Sequence, residues 1–260
     1  EGSDYSLRVH YLDEDADEVK EAVRMCREHK PMGILFLGGN IQYFHEEFEL
    51  VNVPCVLVTD RADKLGFRNL ASVSTDDMAA AEMAVDYLFD HGHRDIAVIG
   101  GDMALSSPSK YRKAGAKRSF IKHGCEFEEE SYAVARFSYE SAYNAMNRML
   151  ASKRSITAVF AMSDVMAVGA MRAIFDAGLR VPEDISVIGF DGTLLADYYN
   201  PKIVTVCQGY EKIARKSIDL LFGMIDLNNQ RLQECIGQQG CQRRPARVRA
   251  ACKQRGEPGC

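Results

Sequence analysis

Short β-branched runs recur along this chain, separated by longer amphipathic stretches, and that alternation limits the fold more than any other feature. Strands are expected at 6–11, 33–37, 55–59, 72–74, 95–100, 132–137, 158–162, 185–190 and 204–207. Helical periodicity falls between them, at 16–28, 78–91, 109–123, 140–150, 165–177 and 211–225. Several of the strands are apolar on both faces, as in a parallel sheet covered by helices on each side. The fold class is therefore α/β, with parallel strands joined by helical crossovers.

Nine strands and six helices exceed one compact doubly wound sheet in 260 residues, so two lobes are expected. A first crossing near "SVSTDD" and a return near "TVCQGY" give one lobe from 1–73 plus about 209–240 and another from 76–208. The last stretch, 228–260, differs in kind. It carries seven Lys/Arg against two acids and four of the eight cysteines, with little apolar content. Disorder is the expectation there. Its cysteine gaps fit no short zinc pairing, so neither a metal nor a disulfide role is assigned.

The net charge of -5 leaves no basic footprint for nucleic acid on this chain. No apolar run reaches the roughly 18 residues of a membrane span, and the start lacks the order of a signal peptide, so a cytoplasmic protein without membrane contact is expected. Covalent chemistry finds little support: Gly-x-Ser-x-Gly, Gly-x-Gly-x-x-Gly and Walker loops are all absent. Ser107-Pro-Ser-Lys110 matches Ser-x-x-Lys without the accompanying Lys-Thr-Gly and reads as chance. His91 and His93 flank Gly92 in a helix-ending turn, the ordinary place for a solvated histidine. No catalytic residue, metal or cofactor is expected.

Polar residues do stand where strands finish, which is where open α/β sheets bind ligands. Asp60, Ser138 after Phe137, Ser163-Asp164 and Asp191 are the four such endings. Each has a plain structural reading. Asp164 is expected to be the N-cap of helix 165–177, Asp191 with Gly192-Thr193 an Asx turn, and Asp60 a partner of Arg61 or a turn cap. Phe137 reads as core or as an aromatic face against a ring-shaped ligand. Arg112 lies about one turn into a helix starting at Ser107-Pro108, where the macrodipole mildly disfavours a cation. It reads as a solvated side chain or as a bidentate donor to ligand hydroxyls or a carboxylate. In the second case, removing it should abolish binding and leave the unliganded melting point nearly unchanged.

Three blocks in order, "VSTDDMAAAEMAVDYLFDHGHRDIAVIGG", "AVFAMSDVMAVGAMRAIFDAGLRVPEDISVIGFDG" and "NPKIVTVCQ", make the body resemble the effector-binding core of the LacI/GalR family of bacterial transcription regulators. The resemblance covers about residues 5–225. It implies a two-lobed clamp similar to periplasmic sugar-binding proteins, a ligand in the cleft, and a homodimer. It also implies effector-binding roles for Asp60, Arg61, Arg112, Phe137, Ser163, Asp191 and Gln208.

By this resemblance the chain begins at the family's second core strand, so operator DNA is met only through an N-terminal domain of the parent protein. Ala116 stands where the family commonly has an aromatic residue, and the 228–260 tail replaces the family's closing strand. The implied effector is a sugar or sugar phosphate, with a nucleobase or nucleoside second. A periplasmic transport receptor of the same fold is the alternative. An enzyme on a flavodoxin-like sheet would need a cofactor loop or activated nucleophile that the sequence lacks.

Overall fold

Helix starts along the chain are marked by short polar side chains that accept from the first free amides. The computed structural model describes residues 6–13, 16–152, 155–226 and 248–249. Asp17 caps α1 (Glu18–His29), Asp76 caps α2 (Asp77–Asp90), Ser106 caps α3 (Ser107–Lys122) and Ser138 caps α4 (Tyr139–Ala151). Ser163 caps α5 (Asp164–Asp176) by accepting from the Met166 amide, 3.1 Å away. Each cap satisfies an orphan donor of the first turn. The cap of α5 is thus Ser163 and not the expected Asp164, which is the first helical residue and turns its carboxylate elsewhere. Two further helices follow, α6 (Leu194–Tyr198), which the periodicity did not reveal, and α7 (Tyr210–Asp226).

The strands form two sheets. The first runs β1 (Ile34–Leu37), β2 (Cys55–Val58), β3 (Leu70–Val73), all parallel. The second contains β4 (Ile96–Gly100), β5 (Tyr132–Val134), β6 (Ala158–Ala161), β7 (Ser186–Asp191), β8 (Val204–Cys207) and β9 (Val248–Arg249), in the order β5-β4-β6-β7-β8-β9. All are parallel except β9, which pairs antiparallel with β8. Every residue of β2, β3, β4 and β6 is buried, as helix-covered parallel strands require.

One expected strand is absent. Residues 6–11 alternate apolar and polar, yet no strand among the described residues pairs with them, and Leu7 and Tyr11 are 85% and 93% exposed. An unpaired extended segment leaves its amides and carbonyls to water, so alternation alone does not make it a strand. The strand expected at 132–137 likewise stops at Val134. Of the basic tail only Val248–Arg249 is described, and the disorder expected for 228–260 otherwise falls outside the described residues.

The chain leaves the first sheet after β3 and returns after β8, where α7 packs Ile213, Leu220, Leu221 and Met224 against Val56, Val58, Ala71 and Val73. A separate, larger core of alanine, methionine and β-branched side chains fills the second sheet and its helices. Two glycines set how closely its helices approach. A Cβ on Gly115 of α3 would collide with the Met78 carbonyl of α2, and one on Gly169 of α5 with the Tyr139 carbonyl of α4. Ala116, which follows the first of them, is fully buried.

Candidate functional site

The site is built where β2, β4, β6, β7 and β8 end, and at its centre is a buried cation. Arg112 on α3 is 4% exposed. Its Nε donates to Asp77 Oδ1 at 2.7 Å and its Nη1 to the Met162 carbonyl at 2.5 Å, while the guanidinium carbon lies 3.8 Å from the centre of the Phe190 ring. Nη2 meets no protein acceptor among the described residues. Asp77 is also buried, and burial pushes its carboxyl above the ordinary range despite the Arg112 charge beside it.

Asp191 closes β7 at φ +111, a left-handed conformation that costs a non-glycine residue energy. Its Oδ1 accepts from Gln208 Nε2 at 2.6 Å, and the Gln208 Oε1 in turn accepts from Thr75 Oγ1 at 2.9 Å. Gln208 follows β8 and Thr75 follows β3, so one carboxamide links both segments that cross between the sheets to the end of β7. Burial raises the Asp191 carboxyl to about 6, with Asp164 and Asp77 adding like charge and Arg112 and Gln208 drawing it down. Asp164 itself is fully buried. It accepts from the Thr193 amide and hydroxyl at 2.7 Å and from the Thr205 hydroxyl at 2.5 Å, fastening the loop after β7 and the middle of β8 to the start of α5.

Asp60 follows Thr59, which holds φ +73 although it is β-branched. The carboxylate is 3% exposed; Oδ1 accepts from the Arg61 amide at 2.7 Å, the buried Oδ2 has no well-formed hydrogen bond among the described residues, and the nearby Ser107 hydroxyl draws the carboxyl down. Burial pushes Asp60 up to about 6, and Asp77 nearby acts in the same direction. Arg61 is half-exposed, pairs with Asp63 at 3.3 Å and faces the Tyr111 ring. A cavity of about 240 Å³ opens beside Asp77, between Arg61, Thr75 and Tyr111, without reaching Arg112 or Asp191. Gln42, after β1, donates to the Ala104 carbonyl after β4, a contact spanning the two sheets.

A model of the periplasmic binding protein-like domain matches residues 85–243. The chain belongs to the periplasmic binding protein-like family. Within it the chain is similar to LacI-type regulators: it is 35% identical over 217 residues to the HTH-type transcriptional regulator MalR of Clostridium butyricum, covering 82% of this chain and 64% of that protein. It is 38% identical over 174 residues to the probable HTH-type transcriptional repressor ExuR of Bacillus subtilis (strain 168), covering 67% and 51%. Among solved structures, the transcriptional regulator CelR–cellobiose complex superposes with a TM-score of 0.74 at 27% identity, over 82% of this chain and 65% of that one. The chain thus spans about half to two thirds of the length of these curated relatives. They are regulators and not transport receptors, which disfavours the alternative reading.

In this periplasmic binding protein-like core, Gln208 is hydrogen-bonded to Asp191 and Arg112 acts on the same carboxylate, while Asp60 and Arg61 of the first sheet lie near Asp77. Ser163 is buried and occupied as a helix cap, next to the Met162 carbonyl that receives Arg112. Phe137 lies three residues past β5, 37% exposed, so it is not core. Its ring stands over Gly101 at the end of β4, where a Cβ would come within 3.0 Å of Cε2. Asp77 and Thr75 escaped the sequence reading. The one available signal for Asp77 was the doubled acid in "STDD", of which a helix needs a single member as its cap. Among the described residues no cluster of His, Cys, Asp and Glu suits a metal ion, and no helix is long and apolar enough to cross a membrane.

Proposed function

We propose that this chain is the ligand-sensing, dimerising core of a LacI/GalR-type DNA-binding transcriptional repressor, taking a small sugar-like effector into the cleft between its two lobes. The lobes are the body around β1–β3 with α7 and the body around β4–β8. The observation that carries the reading is the meeting of Arg112, Asp191 and Gln208 at strand ends, with Gln208 hydrogen-bonded to a crossing segment. Strand ends are where open α/β sheets hold ligands, and left-handed strain at Asp191 and Thr59 is characteristic of binding loops.

In this reading Arg112 Nη2 donates to a ligand oxygen, Asp191 and Asp60 accept from ligand hydroxyls, and Phe137 supplies an apolar ring face. Arg61 and Ser163 border the ligand, and Gln208 reports it to the crossings. Closure would alter the angle between lobes and so the spacing of DNA-binding heads in a homodimer. Operator DNA is met through another part of the parent protein, in the cytoplasm, and the ligand is bound without being converted. The relatives' regulatory names and the CelR–cellobiose neighbour support this reading.

Thermal-shift screening of sugars, sugar phosphates and nucleosides tests it, since a ligand that binds only the folded state raises the melting temperature. A shift lost in Asp191→Asn is the expected result. A shift that survives unchanged in Asp191→Asn and in Gln208→Ala, or turnover of the bound ligand, would sink it.

A further inference from the structure

Three side chains of the first lobe land on one short stretch of the second. Gln42, after β1, donates through Nε2 to the Ala104 carbonyl. Arg61, after β2, stands over the Tyr111 ring with its guanidinium carbon 5.7 Å from the ring centre. Next to it, the Asp60 carboxyl lies near enough to the Ser107 hydroxyl to be drawn down by it. All three receiving residues fall within 104–111, the turn that leads into α3 and the opening residues of that helix.

Both sides of this contact are braced within their own lobe. Asn40 caps the short 3₁₀ turn Ile41–Tyr43 by accepting from the Gln42 amide at 3.0 Å, and the Asn40 amide donates to Glu18 Oε1 of α1 at 2.5 Å. Arg61 Nε is held by Asp63 Oδ1 at 3.3 Å. Across the gap, the Asp102 side chain accepts from the Ala104 amide at 2.8 Å, its carbonyl accepts from the Leu105 and Ser106 amides, and Ser106 caps α3. Contacts between turns that are already set lose little further freedom when they form. Asp60 gains as well from its place beside the start of α3, where free amides favour a negative charge.

We propose that these contacts form a clasp that holds the two lobes together in the ligand-free chain, with Gln42 and Arg61 as the closing residues and Asn40 and Glu18 as positioning residues. The resting state is then the closed one, and opening requires the first lobe to release the start of α3. Because α3 packs without clearance on α2 at Gly115, and its Arg112 is bonded to Asp77 and to the Met162 carbonyl, it moves with the second lobe and cannot follow the first. A ligand shifts such an equilibrium only by its differential affinity for the two states, so a chain that rests closed leaves it little lobe movement to drive. The inference rests on the two-lobe arrangement of the proposed function and not on the effector named there.

Pulsed electron paramagnetic resonance on the full chain, without ligand, tests it. p-Acetylphenylalanine bearing a nitroxide replaces Glu49 in the first lobe and Glu140 in the second, both exposed, which leaves the native cysteines unlabelled. The otherwise unmodified chain should give one narrow distance distribution. Gln42→Ala combined with Arg61→Ala should add a second population several ångströms further apart. Gln42→Ala alone removes an exposed side chain and spares the core, so it keeps the test open if the double variant folds poorly. It should hold about fivefold more of the longer-distance population than the unmodified chain, the factor that one ordinary hydrogen bond is worth. Identical distributions with and without Gln42, or an unmodified chain already spread over the longer distances, overturn the clasp. Either result leaves the effector reading untouched, and a failed effector screen leaves the clasp untouched.

Discussion

Arg112 and Asp77 form a buried ion pair, with Nε and Oδ1 2.7 Å apart and both side chains almost without solvent contact. The pair joins the second turn of α3 to the first residue of α2, so the cation we propose as a ligand donor is also part of the scaffold. This reverses the expectation that Arg112 can be removed without consequence for the unliganded protein.

Arg112→Ala should destabilise the unliganded chain by about 3–5 kcal/mol, because it strands the Asp77 carboxylate in the interior. Arg112→Met combined with Asp77→Leu should recover most of that loss, since the pair is then replaced by apolar groups of similar volume. Urea unfolding of the single and double variants checks this. Equal stability of Arg112→Ala and the unmodified chain would contradict the buried pair.

Gly115→Ala should cost about 1–3 kcal/mol or more, because the added methyl meets the Met78 backbone carbonyl and cannot be accommodated by a side-chain rotation. The neighbouring surface change Lys110→Ala serves as control and should lie within about 0.5 kcal/mol of the parent. Thermal unfolding distinguishes them.

Thr59→Gly should stabilise the chain by about 1 kcal/mol, since glycine adopts φ +73 without the penalty a β-branched residue bears. Part of that gain is offset by the larger entropy glycine loses on folding. If Thr59→Gly is instead destabilising by more than about 1 kcal/mol, the conformation at this turn is not as described.

Stability should fall as pH rises from about 4 to about 6. Asp60 and Asp191 both titrate near 6 in the folded chain, above the ordinary 3.8, so between these values the folded state holds more protons than the unfolded one. Their contribution is fully present below about 4 and lost once the pH has passed 6. Together they should account for a decline of about 2–4 kcal/mol, flattened in the Asp60→Asn, Asp191→Asn variant. Urea unfolding at several pH values measures it, and a decline unchanged in that variant would refute the assignment.

The alternation of apolar runs and amphipathic stretches located eight strands and six helices to within a few residues, because burial on both faces of a covered sheet leaves a continuous apolar signature. Residues 6–11 carry an equally good signature and fail, since pairing depends on a neighbour and not on the segment. At the site, Asp191 was readable as a strand ending, whereas Gln208, which the structure hydrogen-bonds to it, came only from the family resemblance. Asp77 was not, because its partner lies 35 residues away and adjacent Asp76 serves the helix start equally well. Ser163 and Asp164 show the same ambiguity: either can cap a helix, and only the positions of Thr193 and Thr205 decide that the serine does so and the aspartate ties down the loop.

The amide of Gln208 holds Asp191 with one end and Thr75 with the other, so anything that draws it from either partner loosens the strand that leads out of the first sheet from the end of β7. The tie between the end of β7 and the segment leaving β3 is therefore carried by a single side chain of fixed reach. A shorter residue at this position would release the end of β7 from the segment that leaves β3.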